Sequence, residues 1–181
     1  MCLNVEAQAG WFESNKPVEP ISVKGAADVG TLFATIAKSM GAAFVNHGVN
    51  RKLSSPYLSG TAWDQIIALH QAANINFCFD LGTLHIWEKG KYRLQDLTKV
   101  SEQTGMVGYP VVTSIGVDVV TEFMPSLVIG GLINLETALL PANGAWVVDQ
   151  AAFNLTSEVP NGPWFARMAC SRPDQPNLNH A

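Results

Sequence analysis

Two spacings of apolar residues divide this chain. From Asp28 to Ala73 they recur at helical intervals, whereas from Gly105 to Arg172 they alternate with polar residues between Gly and Pro breaks. Val29, Leu32, Phe33, Ile36, Ala37 and Met40 fall at i, i+3, i+4, i+7, i+8 and i+11, an unbroken stripe that predicts an amphipathic helix. Asp28 stands where an N-cap belongs and Gly41 where a left-handed residue ends a helix. For a second helix, Thr61 and Asp64 have capping-box spacing, with Asp replacing the usual Glu or Gln. Ala62, Ile66, Leu69 and Ala73 line its buried face, with Trp63 and Ile67 beside it.

Gly25–Gly48 and Gly60–Gly82 look like two diverged copies of one unit, each a helix followed by a short strand. The second strand, Phe77-Cys78-Phe79, is separated from Leu84-His85-Ile86-Trp87 by Asp80-Leu81-Gly82-Thr83, a hairpin signal. The predicted order is strand, helix, strand, then helix, strand, strand, folding residues 21–89 into a small α/β module whose sheet is covered by two helices on one face. Glu88-Lys89-Gly90-Lys91 is a plausible boundary.

Residues 90–173 read differently. Strands are predicted over Val117–Phe123, Leu127–Glu136, Ala145–Leu155 and Trp164–Cys170, separated by Met124-Pro125-Ser126, Leu140–Gly144 and Val159–Pro163. Such spacing argues for an antiparallel β-barrel-like domain, so the fold class expected is α+β. Gly130-Gly131 sits inside a strand run with no helix or Lys-Ser/Thr after it, which fits a bulge or tight corner better than a phosphate loop. Residues 174–181 are expected to be a flexible tail.

The turn residues of this region carry a resemblance. Gly105-Met106-Val107-Gly108-Tyr109-Pro110, Phe123-x-Pro125, Gly130-Gly131, Pro141-x-Asn143-Gly144-x-Trp146-x-Val148 and Pro160-x-Gly162-Pro163-Trp164-Phe165 form a series similar to the tail hub, or baseplate hub, proteins of tailed bacteriophages and prophages. The stretch Asp28–Lys89 resembles the domain that precedes the barrel in such proteins. Residues 1–20 look like the end of a further N-terminal β domain, so the chain is expected to be a shortened or split form. The resemblance implies a structural role: a hub subunit joining the tail tube to the central spike, in a ring, most simply a trimer, with a central DNA passage. The implied partners are further copies of the chain and the tail-tube, spike, tape-measure and baseplate proteins. The implied location is the virion tail, assembled in the host bacterial cytoplasm.

Composition narrows the picture without changing it. Of 181 residues, 48% are hydrophobic and only 14% charged, which excludes disorder and allows a real core. No apolar run approaches the ~20 residues of a membrane-spanning helix, and the residues after Met1 lack the basic-then-apolar pattern of a secretory leader. Cys2, Cys78 and Cys170 are odd in number and widely spaced, which favours reduced thiols. A formal net charge of −4 argues against nonspecific binding to nucleic acid.

A search for chemistry finds little. His47, His70, His85 and His180 share no ligand spacing with one another, and are expected to be unrelated. Cys78 and Cys170 lie in apolar strand runs, where buried thiols are inert. Asp118 and Glu122 share a strand face but stand ~13 Å apart at the usual rise per residue, too far to act as a glycosidase pair. No catalytic, cofactor or metal residues are therefore assigned, and a non-enzyme is expected. The alternatives are a small phage-encoded cell-wall hydrolase, which would need a convergent acid–base set, and a ring-forming secretion-system adaptor. Trp164 and Phe165 remain as the candidate interface, since adjacent strand residues point to opposite faces and one ring must face outward. Trp146 and Phe153, seven positions apart, should also oppose each other unless a bulge intervenes.

Overall fold

The computed structural model describes residues 15–158 and 162–173. The expected tail from residue 174 and the first fourteen residues of the expected N-terminal remnant lie outside them. The chain divides into two compact units that change over between Glu88 and Lys89. Among the described residues there are two α-helices, both in the first unit, and the rest of the regular structure is strand and short 3-10 turn. The fold is α+β.

The first unit runs β1 (Ile21–Ser22), β2 (Ala26–Asp28), α1 (Val29–Ser39), β3 (Ala43–Asn46), β4 (Lys52–Ser54), β5 (Tyr57–Leu58), α2 (Ala62–Ala73), β6 (Ile75–Asp80) and β7 (Thr83–Glu88). Helix α1 starts where Asp28 accepts from the Thr31 backbone N–H at 2.8 Å, and Gly41, at φ +71°, leads the chain away beyond it. Helix α2 starts at a complete capping box. The Thr61 hydroxyl accepts from the Asp64 N–H at 3.2 Å, and the Asp64 carboxylate accepts from the Thr61 N–H at 2.9 Å. It ends at Asn74, which takes the left-handed conformation at φ 50°.

Strands β3, β7 and β6 form a three-stranded sheet in that order, β3 parallel and β6 antiparallel to β7. The two helix–strand copies thus meet on either side of β7, and their strands run in opposite directions. The face that carries Phe44, Phe77, Phe79, Leu84 and Ile86 packs on both helices, and every member of the α1 stripe is buried there. The β6–β7 turn uses two residues at positive φ, Leu81 (46°) and Gly82 (77°), as the twist of a two-residue hairpin demands. Pairs β1–β5 and β2–β4 add two short ribbons that the hydrophobic pattern does not foretell. Val18 packs on the same core, and buried Gln65 of α2 donates to the Glu19 carbonyl at 3.2 Å.

The second unit contains β8 (Leu94–Ser101), β9 (Val111–Val112), β10 (Val117–Glu122), β11 (Gly131–Glu136), β12 (Gly144–Leu155) and β13 (Trp164–Ser171). They form one sheet in the order β8-β11-β12-β13-β10-β9. This corrects the barrel expectation: the ladder is open, with β8 and β9 as its edges. The chain leaving β8 turns through Glu102–Thr104, and Met106 makes an isolated bridge to Thr121 of β10. The sheet is also mixed, because β8 pairs with β11 in parallel.

Strand β8 escapes the alternation rule for a physical reason. Gly131 opposes Leu94 while Ile133 opposes Thr98, so two residues of β11 span four of β8, and the bulge shifts the apolar positions out of step. Leu127–Gly130, expected as strand, is irregular chain that ends in a turn at Ile129–Gly130, closed by the Gly131 N–H donating to the Val128 carbonyl at 3.0 Å. Glycine is required at 131, where a Cβ would lie 2.9 Å from that carbonyl oxygen.

Ile36, 1% exposed at the centre of the α1 stripe, should not tolerate a charge. Ile36→Asp is expected to cost several kcal/mol and to abolish the cooperative melt of that unit in calorimetry. At the α2 cap, Thr61→Ala should cost about 1 kcal/mol in urea denaturation. The hydrogen bonds from the Thr61 hydroxyl and backbone hold the Asp64 carboxyl below its ordinary value of 3.8. Because the folded value is the lower one, the stabilisation is complete above the ordinary value and fades as pH falls below it. Asp64→Asn should therefore narrow the stability gap between neutral pH and pH 3.

Candidate functional site

Among the described residues no three His, Cys, Asp or Glu side chains converge as a metal site. Asp118 and Glu122 sit on the outer face of β10, opposite Ala169 and Phe165, and both are exposed. Glu136 is held by Lys99 at 2.7 Å across the β8–β11 pair. Cys170 is buried in the second core. Burial first, and then the charges of Asp149 and Asp118, push its thiol well above the ordinary range, which leaves it protonated and inert. No helix among the described residues is long and apolar enough to cross a membrane.

One expectation about the histidines fails. His47 Nε2 lies 3.0 Å from His85 Nδ1, with the rings stacked at 5.3 Å between centroids. They come together because the chain leaving β3 runs on beside β7, the His47 N–H donating to the Ile86 carbonyl at 2.9 Å. A separation of 38 residues hid the pair from any spacing rule. His70 is unrelated to it: its ring bonds the Ile75 carbonyl and packs edge-on against Phe77. His180 lies outside the described residues.

The candidate interface residues fall where β12 and β13 outrun the core. Phe165 opposes Glu122 on one side and Asn154 on the other, on the outer face of the sheet. Trp164 points to the face that holds Ala166, Met168 and Cys170 in the core, yet it is 50% exposed. The pairing of β12 with β13 explains this. Val148 opposes Cys170 and Gln150 opposes Ala169, so Asp149 is an extra residue. That bulge returns Ala151, Phe153 and Leu155 to the face of Trp146 and Val148, settling the question left open by their sequence spacing.

Trp146 is therefore core, 3% exposed, with its indole N–H donating to the Ala142 carbonyl at 2.7 Å. Phe153 and Leu155 lie on the same face beyond the core, 49% and 43% exposed. Phe123 packs edge-to-face on Phe153 at 5.6 Å and on Trp164 at 6.1 Å. The Trp164 indole N–H donates to the Thr156 carbonyl at 2.8 Å, which fixes the ring. The result is an apolar platform whose members belong to the core face of the sheet but lie outside its buried cluster among the described residues.

At the opposite end of β13, Arg172 lies 4.6 Å over the Trp146 ring and donates to the Pro141 carbonyl at 3.3 Å. It borders a pocket of about 290 Å³ that includes Val112, Ile115 and Pro141. Two further pockets, of about 270 Å³ beside β8 and β11 and about 360 Å³ between Val18–Ile21 and the helices, are mainly apolar. None of the three gathers an acid, a base and a nucleophile.

Comparison with known proteins matches residues 14–169 to a family profile described as Baseplate hub gp41. Among solved structures, the tail protein from Neisseria meningitidis MC58 is similar with a TM-score of 0.65 at 9% identity, over 90% of this chain and 71% of that one. The prophage MuSo2 43 kDa tail protein from Shewanella oneidensis is similar with a TM-score of 0.58 at 10% identity, over 84% of this chain and 68% of that one. At such identities these two establish a shared fold. No curated protein matches the sequence.

The thiols supply a check on the site as described. In the folded protein Cys170 should resist an alkylating reagent that modifies half-buried Cys78, and should react only when denaturant unfolds the second unit. Peptide mass spectrometry of a timed labelling series would read both rates.

Proposed function

This chain belongs to the baseplate hub gp41 family, and from that membership we propose that it is a hub subunit joining the tail tube to the central spike, within a ring around a passage for DNA. It is a structural protein of a phage tail. The observation that carries the finer reading is the family match itself, which spans both compact units of the chain. Three copies form the ring in this proposal, with tape-measure and baseplate proteins as further neighbours, in a virion tail put together in the host cytoplasm. A net charge of −4 suits a channel along which DNA slides without adhering.

In this reading the protein works by geometry, and its apolar, weakly charged surfaces serve contact. Trp164 and Phe165 are its proposed interface residues, because aromatic side chains dominate the energetics of such contacts. The separation of its carboxylates and the inert state of Cys170 support a role without catalysis.

Co-expression with the tail-tube and spike proteins of the same phage tests the proposal. A stable complex on size exclusion, seen as a ring by electron microscopy, is the expected outcome. Failure to bind either protein, together with turnover of cell-wall substrate that a single carboxylate substitution abolishes, would replace it with a hydrolase.

A further inference from the structure

The contact between His47 and His85 is more narrowly defined than its closeness alone implies. The rings are 25° from parallel, with nitrogens 3.0 Å and centroids 5.3 Å apart. Given the size of an imidazole, the second distance is about as great as the first allows. His47 Nε2 and His85 Nδ1 therefore lie near the line between the ring centres and aim at each other. The rings meet at nitrogen and not over their faces. One nitrogen of such a contact donates a proton and the other accepts it.

A neutral pair satisfies that bond with one ring as donor. A first added proton makes the donor an imidazolium and strengthens the bond, because its donor is then charged. A second would fall on the accepting nitrogen, setting two N–H groups and two like charges head to head. The closed contact thus holds one added proton, where two separate imidazoles hold two. Its neighbours do not lift this limit. Strand β6 brings Cys78 opposite His85 and Asp80 two residues on, β3 brings uncharged Val45, and β7 places Thr83 and Trp87 on the same face. His70 packs against Phe77 on the helix side, and Glu88, on that side of β7, is paired with Arg51 at 3.8 Å. Asp80 favours the first charge but makes no room for a second hydrogen between the nitrogens.

The contact sits at the start of a run that fastens both helices. His47 donates its backbone N–H to Ile86, and Asn46 closes a turn with Val49 through hydrogen bonds of 2.7 and 2.9 Å. The Arg51 carbonyl accepts from the Val29 N–H at the start of α1 at 2.9 Å. The Arg51 guanidinium donates to the Ala73 carbonyl at the end of α2 at 3.0 Å. We propose that the His47–His85 contact is an acid-operated clip. It stays closed while it carries no more than one added proton, and the second proton opens it and frees the chain leaving β3 from β7. The clip is independent of the hub reading.

Hydrogen exchange on the full chain, read by NMR from about pH 7.5 to about pH 5, tests it above the range in which ordinary carboxylates titrate. Opening takes up one proton. Below about pH 6 the protection of the His47 amide, corrected for the intrinsic rate, should therefore fall close to tenfold per pH unit. The Ile36 amide, in the middle of α1, should keep its protection. His47→Gln should remove the pH dependence, since a side-chain amide can donate to a neutral His85 or accept from a charged one. Protection at position 47 that follows Ile36 throughout, or the same fall in His47→Gln, overturns the clip. Should that variant fail to fold, the ring signals of the parent decide. A first step shared by both rings and a second delayed into acid are expected, and two independent steps near the ordinary value of about 6.5 overturn it.

Discussion

The bulge at Asp149 governs the second unit. A strand of twelve residues that alternated strictly would turn Trp146 and Phe153 to opposite faces. The extra residue instead keeps Trp146, Val148, Ala151, Phe153 and Leu155 on one side. The first part of that row builds the core with Ile133, Leu135 and Met168, all of them almost fully buried. The latter part continues past the core and exposes the same apolar face. One local register shift thus creates both the packing that stabilises the sheet and the platform available for contact.

In the first unit the controlling feature is the pair of capped helices laid on a sheet of only three strands. Phe33, Ile36, Ile66 and Leu69 are essentially solvent-free, and Leu84 and Ile86 meet them from the central strand β7. At ~25 cal/mol per Å² of apolar surface, burial of this kind is the main favourable term available to so small a body. The caps fix where each helix begins, and so set which side chains reach β7. The His47–His85 pair lies apart from this core, at the end of β3 and within β7.

Under the proposed function, contact surfaces matter more than any pocket. The chain carries little charge, and several of its exposed apolar residues, among them Leu140, Phe153 and Leu155, lie towards the two ends of the second sheet. An ordinary monomer leaves scattered apolar residues on its surface, whereas contiguous groups mark places where another surface belongs. Family membership gives those groups a context in phage tail structure.

Much of this protein was legible in its sequence wherever the determining forces are local. The α1 stripe, the Asp28 and Thr61–Asp64 caps, the Gly41 exit and the Asp80–Thr83 hairpin each depend on residues within a few positions of one another, and each stands in the structure as read. The alternation of β10 is equally local, because one sheet face is wet and the other dry. The motif wording of the turns also sufficed to point to the hub family. What the sequence could not decide is non-local. The parallel pairing of β8 with β11, the open order in place of a barrel and the His47–His85 contact join residues tens of positions apart. The bulge at Asp149 depends on the partner strand, since only the register against β13 makes one residue of β12 supernumerary. Side-chain period specifies which face of a strand is apolar. Which strands share that face, and where the core beneath it stops, is settled only when the whole sheet competes for the same buried volume.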